Sequence, residues 1–253
     1  MGVAKVSPFN SKYLRTYFIR GFAFLFVYFS LISIANAQQD DPLKSYWLRY
    51  YNQFSLTPKW TWHNEIDERR LLQPDRQAQF FIHTHIHYLL SKKLDVAAGF
   101  NHNLSKSRTN ITIPEWRPWQ EVNFNATNAS KIKLSFRFRL DERFIHHSSA
   151  TQLEDGYQFV LRHRIRIQAI HRIGKKEQIS LKLSNELMLN TSPVFDTFDQ
   201  NRIFAAVEFK LVKSLSLETG YLNQVVRRNG EYTTFHILRT TLYHRIQRKQ
   251  IKL

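Results

Sequence analysis

Long stretches in which apolar and polar side chains alternate residue by residue constrain this fold more than any other feature of the sequence. They cover residues 46–56, 60–71, 77–90, 94–103, 120–126, 132–144, 157–173, 178–190, 202–211, 215–226 and 232–246. A strand of a globular protein usually has about 5–6 residues, whereas a strand tilted across a bilayer has roughly 9–11 in the hydrocarbon. The period predicts an all-β chain, and the lengths favour a membrane barrel over a soluble sandwich.

The parity of the alternation separates an apolar face from a polar face. In residues 132–144, for example, Phe136 and Phe138 alternate with Arg137 and Arg139. An apolar exterior and a polar interior are typical of outer-membrane barrels, although a lipocalin-like barrel with an apolar interior has the same parity. Trp and Tyr collect at membrane interfaces, and their positions near segment ends favour the membrane barrel. These residues are Trp60, Trp62, Tyr88, Trp116, Trp119, Tyr157, Tyr221 and Tyr243.

We therefore predict an antiparallel up-and-down transmembrane β-barrel over residues 60–246, with ten strands and a polar, charged lumen. Eleven spanning strands would make the first and last parallel, and bacterial barrels normally have even counts. Residues 38–59 are then an N-terminal segment that forms an extra or edge strand, and residues 247–253 are a basic tail. Twelve strands are the alternative. Short turns alternate with longer polar links, and residues 103–119 and 145–156 are predicted to be long loops.

The N-terminal 37 residues have the parts of a cleaved signal peptide. Four bases and no acid precede the apolar run 21–34, which is followed by Ala35-Asn36-Ala37. A membrane anchor needs roughly 20 apolar residues, and this run is shorter. Cleavage leaves Gln38 as the first residue. Export together with a membrane barrel predicts a location in the bacterial outer membrane. The absence of cysteine from the whole sequence excludes a disulfide scaffold and cysteine metal fingers.

The chain is strongly basic, with 37 Lys and Arg against 20 Asp and Glu. An excess of positive charge attracts anionic partners, so we expect contact with the bilayer and its anionic lipid headgroups, and with an envelope protein or a small anion. Nucleic acid is not expected, because the basic stretches carry no binding motif and alternate with apolar side chains. The sequence leaves the oligomeric state open.

Charged residues of both signs fall on the inward parity. Unpaired charge in a narrow interior is costly, so we predict hydrogen-bonded ion pairs there. The acids are Glu65, Asp67, Glu121, Asp141, Glu186, Glu208 and Glu218; the bases are Arg69, Arg137, Arg139, Arg143, Arg162, Arg164, Arg166, Lys182, Arg202 and Lys210. This favours a structural or envelope-associated barrel with a charge-paired lumen. A narrow anion-selective pore is the alternative.

His83, His85 and His87 share one face of one predicted strand and are weak candidates for metal ligands. Neighbouring members lie about 7 Å apart along a strand, so a metal would need a ligand from another element. No metal or other cofactor is predicted. The sequence has no G-x-S-x-G motif, and we predict no enzyme activity. An outer-membrane lipid-modifying enzyme is the second alternative.

Several segments resemble a known family, the outer-membrane barrels of domain-of-unknown-function family 2490. The matching pieces are YWLRYYNQFSL (46–56), WTWHNEIDERR (60–70), LRHRIRIQ (161–168), NELMLN (185–190), FDQNRIFAAVEFKL (198–211) and LSLETGYLNQ (215–224). The resemblance implies an outer-membrane location and a barrel architecture, and it carries no activity or catalytic residues. The chain departs from barrels in general at its C-terminus, where a basic tail follows Tyr243.

Overall fold

Eleven β-strands form one closed barrel in the part of the chain described by the computed structural model, residues 42–126, 132–174 and 177–247. The strands are β1 (Leu43–Ser55), β2 (Trp60–Leu72), β3 (Asp75–Leu89), β4 (Leu94–Lys106), β5 (Thr112–Ala126), β6 (Ile132–Ser148), β7 (Leu153–Ile173), β8 (Ile179–Thr191), β9 (Phe198–Lys210), β10 (Leu215–Arg228) and β11 (Glu231–Gln247). The predicted signal peptide and all of the basic tail beyond Gln247 lie outside the described residues.

The barrel closes through a parallel pair, β1 with β11, in which Leu43 lies opposite Phe235 and Ser55 opposite Gln247. Every other neighbouring pair is antiparallel, as an up-and-down order requires. The predictions of ten strands and of twelve are therefore wrong. Residues 43–55 form a strand with a neighbour on each side. An odd number of up-and-down strands makes the first and last strands run in the same direction, and their pairing leaves the barrel without an open edge.

The connections are shorter than the sequence predicted. Strands β4 and β5 are separated only by residues 107–111, and β6 and β7 only by residues 149–152. Most of the predicted long loops at 103–119 and 145–156 is therefore strand. Pro114 and Pro118 obscured the pattern in β5, since proline lacks the backbone N–H of a regular ladder.

The two faces of the barrel differ in chemistry as the parity predicted. Leu48, Ile82 and Leu238 are among the large apolar side chains exposed on the outer face, whereas Asp141 and Glu218 are fully buried on the inner face. Within the described ranges, no helix is long and apolar enough to cross a membrane.

Apolar side chains occupy one side of the interior. Trp47, Phe204, Ala206, Leu222 and Ile237, from β1, β9, β10 and β11, form a buried cluster, and Phe235 packs against it. Charged side chains share this side of the interior, since Arg239 of β11 lies over the Phe204 ring. The predicted charged lumen therefore also contains an apolar cluster.

Candidate functional site

A cavity of about 150 Å³ lies inside the barrel, and arginine dominates its lining. Twelve of the lining residues are arginines, against the three acids Glu65, Asp67 and Glu186. The arginines are Arg49, Arg69, Arg117, Arg137, Arg139, Arg143, Arg162, Arg164, Arg166, Arg202, Arg228 and Arg239. Five further acids bind these arginines from outside the lining: Glu115, Glu121, Asp141, Asp199 and Glu218. Because guanidinium groups stay protonated in proteins, the region still carries an excess of positive charge.

Strand register accounts for this excess. Strands β6 and β7 pair Arg137 with Arg166 and Arg139 with Arg164, so like charges face one another across the ladder. Directly opposed like charges destabilise a sheet, and acids from other positions must offset them. Glu186 of β8 does so, because it lies opposite Arg166 and 2.9 Å from Arg164.

Each buried acid in this region serves more than one arginine. Glu115 accepts hydrogen bonds from Arg117 at 2.6 Å and from Arg143 at 2.7 Å. Glu186 accepts from Arg164 and also forms an ion pair with Arg137. A shared carboxylate neutralises only part of the charge around it, so the network is paired but retains net positive charge.

Several arginines also stack on aromatic rings of the inner face. The guanidinium carbon of Arg139 lies 3.8 Å from the ring centroid of Trp119, and that of Arg239 lies 3.6 Å from Phe204. Arg69 lies 3.8 Å from the Trp47 ring. Such stacking holds the planar group by its face and leaves N–H donors at its edge for other partners.

Arg166 and Arg202 line the cavity without an ion pair to any residue in the described ranges. Arg202 lies 5.1 Å from the Trp47 ring, and its buried Nε donates no hydrogen bond within the same ranges. Buried Nε of Arg137 and of Arg239, and Nη2 of Arg139, likewise have no acceptor there. An unsatisfied buried donor costs about 1–3 kcal/mol, more when it is charged. Several guanidinium groups that line the cavity therefore keep at least one N–H donor without an acceptor in the described ranges.

The remaining predicted lumen residues form a second group nearer the end where β1 is joined to β2. Lys182 and Arg239 both bind the buried Glu218, and Arg245 binds Glu208 at 2.9 Å. Among the other predicted lumen residues, Arg69 lies 2.8 Å from Asp67 and Arg137 lies 3.7 Å from Glu121. Lys210 lies exposed at the end of β9.

Several interior charges were absent from the sequence prediction. Arg49 was missed because β1 was placed outside the barrel, and it binds Glu65 at 3.2 Å. Glu115 and Arg117 were missed because the prolines of β5 suggested a loop. Asp199, which binds Arg162 at 3.1 Å, precedes the predicted start of its strand. Extending the inward parity through these segments would have found Arg49, Glu115 and Arg117. It would not have found Asp199, because the register between β8 and β9 shifts at this residue and reverses the parity.

The structure regroups the histidines. His63 on β2 lies opposite His85 on β3, and together with His87 it forms a cluster inside the barrel. His83 is not part of the cluster, since it contacts Asn101 and lines the arginine cavity instead. The predicted set His83, His85 and His87 is therefore corrected to His63, His85 and His87.

Ser148 and Ser149, beside His146 and His147, do not form a nucleophile system within the described part of the chain. Ser149 Oγ donates to the carbonyl of Gln152, and His146 Nδ1 lies 3.0 Å from the carbonyl oxygen of His147. No described carboxylate contacts either histidine.

The barrel is similar to solved bacterial structures. It matches the NanC porin with a TM-score of 0.52 at 10% identity, over 80% of this chain and 97% of that chain, and the likeness shows a shared barrel fold. OmpT, an outer membrane protein of Vibrio cholerae, matches with a TM-score of 0.37 at 12% identity, over 68% of this chain and 57% of that chain. No curated protein shows significant sequence similarity to this chain. Residues 44–235 match the family described as protein of unknown function DUF2490, and the chain therefore belongs to that family.

Proposed function

We propose that this protein is an outer-membrane β-barrel that lets small anions pass through its arginine-rich interior. The observation that carries the proposal is the composition of the cavity, where twelve arginines meet three acids and where Arg166 and Arg202 have no ion pair in the described ranges. A purely structural network would be expected to balance its charges, since an unpaired buried charge costs stability.

A membrane location is supported by the outer face. Trp60 and Trp62 are exposed near the end where β1 joins β2, and Trp116, Tyr157 and Phe159 are exposed toward the opposite end. Aromatic residues at both ends of an apolar outer band are typical of transmembrane barrels. The predicted signal peptide agrees with export, and the mass of protein isolated from outer membranes should correspond to a chain that starts at Gln38.

Passage of anions would depend on stacked and shared guanidinium groups. An anion that enters the cavity finds N–H donors already oriented by Trp47, Trp119 and Phe204. Fixed donors in a low-dielectric interior attract an anion more strongly than the same groups in water. The small volume limits the solute to small inorganic or organic anions.

Planar-bilayer recording tests the proposal. The refolded wild-type protein should give a steady current under a salt gradient, with a reversal potential on the anion-selective side. Arg166→Gln/Arg202→Gln should move that potential toward zero, since it removes two cavity charges that form no ion pair within the described ranges. Lys44→Gln/Arg70→Gln is the matched control, because both residues lie on the outer face and the net charge changes equally.

A folded wild-type protein that carries no current would support the structural role instead. The same conclusion would follow if the cavity variant and the control variant kept equal selectivity. The ion pairs around Asp141 and Glu186 would then serve only to hold the strands together.

A further inference from the structure

Three histidines from two strands come together in the barrel interior, apart from the arginine pairs. The ligand nitrogens of His63, His85 and His87 all lie within 4.8 Å of one another. His85 Nδ1 lies 3.0 Å from His87 Nε2, and the His63 ring centroid lies 4.8 Å from that of His85 and 4.3 Å from that of His87. The cross-strand register produces this grouping, because His63 and His85 are directly opposed on β2 and β3.

The outer nitrogens of two of these rings face carboxylates. His85 Nε2 lies 3.1 Å from Glu65 Oε1, and His87 Nδ1 lies 2.8 Å from Asp95 Oδ1. An ionised carboxylate accepts hydrogen bonds and does not donate them. Each ring therefore places its N–H on the carboxylate side, which fixes the tautomer of the neutral imidazole.

The fixed tautomers leave an unusual arrangement between the rings. In neutral His85 and His87, the nitrogens with no proton are His85 Nδ1 and His87 Nε2, and these are the two atoms 3.0 Å apart. Two lone pairs at that distance repel one another unless a proton or a metal ion lies between them. A metal bound at about 2.0–2.1 Å from two imidazole nitrogens in tetrahedral geometry holds them about 3.3 Å apart, so a small outward movement of the two rings would admit the ion.

We infer that His63, His85 and His87 form a binding site for a late first-row divalent transition metal such as Zn²⁺. Imidazole ligands suit such ions, and three histidines leave a fourth position for water or another ligand. Glu65 and Asp95 act as the outer carboxylates that orient metal-binding histidines. Tyr51 does the same for His63 when Nδ1–H of the ring donates to the Tyr51 hydroxyl. Nε2 of His63, which lies 3.1 Å from Thr61 Oγ1, is then the nitrogen left to bind the metal.

The histidine cluster lies beside the arginine cavity, and Glu65 links the two regions. Its Oε1 faces His85 and its Oε2 accepts a hydrogen bond from Arg49 at 3.2 Å. A bound metal would therefore also fix one wall of the arginine cavity.

Zn²⁺ binding by the untagged full chain tests the inference. A polyhistidine tag must be absent, because it would bind the metal itself. Folded protein, identified by heat-modifiable gel mobility, is equilibrated with Zn²⁺ and a competing chelator, and the metal is counted by mass spectrometry. We expect one tightly bound Zn²⁺ per chain and an X-ray absorption spectrum with imidazole ligands.

Variants separate this site from other histidines. His85→Gln and His63→Gln should lose the tight Zn²⁺, and Asp95→Asn should weaken it about 10–100-fold. His83→Gln is the matched control on the same strand and should keep the metal. If His85→Gln does not fold, His87→Gln tests the same pair of nitrogens.

Three outcomes would overturn the inference. The first is that the folded wild-type protein binds no Zn²⁺, in which case a proton lies between the rings. Alternatively, His63→Gln and His85→Gln keep the metal, which assigns it to other histidines. Finally, His83→Gln loses the metal as completely as His85→Gln does.

Discussion

Arg162 and Asp141 face each other across β7 and β6, and two guanidinium nitrogens donate to one carboxylate oxygen at 3.1 and 2.6 Å. Asp141 is fully buried. It also accepts a hydrogen bond from Arg139 at 2.6 Å and lies 3.5 Å from Arg164. Three guanidinium groups therefore share one carboxylate, and we expect the barrel to depend on it more than on any single cation around it.

Replacing Asp141 with Asn should destabilise the barrel strongly. The substitution keeps the shape of the side chain but leaves Arg139, Arg162 and Arg164 without their shared anion. Breaking a buried ion pair from one side typically costs about 3–5 kcal/mol. We expect a loss of this size in the free energy of unfolding, measured by urea titration of tryptophan fluorescence in lipid vesicles.

Glu177→Gln is the matched control for this loss. Glu177 binds Arg172 at 2.8 Å, but both side chains are about half exposed. Exposed ion pairs contribute about 0–1 kcal/mol, so little change is expected. Equal effects of the two substitutions would contradict the central role of Asp141.

Two arginines of β7 should respond in opposite ways to replacement by Met. Arg164→Met removes hydrogen bonds of 2.9 Å to both oxygens of Glu186 and leaves that acid with Arg137 as its remaining ion-pair partner in the described ranges. Arg166→Met removes a cation that has no ion pair in the described ranges and that faces Arg137. Urea titration should give a large loss for the first and no loss, or a gain, for the second. A large loss for Arg166→Met would show that its charge is paired.

The parallel seam can be tested by cross-linking, because the chain has no cysteine of its own. Leu48 and Thr240 are directly paired across β1 and β11. Neighbouring strands lie about 4.8 Å apart, within the reach of a disulfide. Oxidation of Leu48→Cys/Thr240→Cys should give a fast-migrating band on a denaturing gel that reductant removes.

Leu48→Cys/His244→Cys is the control for the seam, since its second cysteine lies four residues further along β11, about 13 Å away. It should not cross-link. Efficient cross-linking of the control, or none in the test pair, would contradict the register of β1 and β11.

Gly99 should not tolerate alanine. A Cβ atom at this position would lie 2.4 Å from Cβ of His85 and 2.6 Å from the Trp119 ring. Forcing one extra carbon into packed surroundings costs about 1–3 kcal/mol, and the ring of Trp119 must move. We expect lower stability and a shifted tryptophan emission for Gly99→Ala. Ala98→Val adds bulk on the exposed outer face and should change neither, so an equal effect there would contradict the packing.

The alternation alone determined the all-β class, the barrel and the two faces. Side chains of a strand point to opposite sides in turn, so Phe138 and Arg139 had to lie on different faces wherever their neighbours were. The same parity named most interior charges. The parity did not identify Arg117, because prolines interrupt the pattern of β5. It did not identify Arg49, because β1 was placed outside the barrel.

Only the tertiary structure decided the strand count, the unpaired arginines and the histidine cluster. Pairing of β1 with β11 joins residues that lie far apart in the sequence, and no local pattern encodes that pairing. Arg166 has no ion pair in the described ranges because the acid directly opposite it, Glu186, binds Arg137 and Arg164 instead. His63 joins the cluster because it lies directly opposite His85 on the adjacent strand, about 5 Å away, whereas the side chain of His83 contacts Asn101. Register between strands is a non-local property, and it determines where the arginines of the cavity and the histidines of the cluster lie.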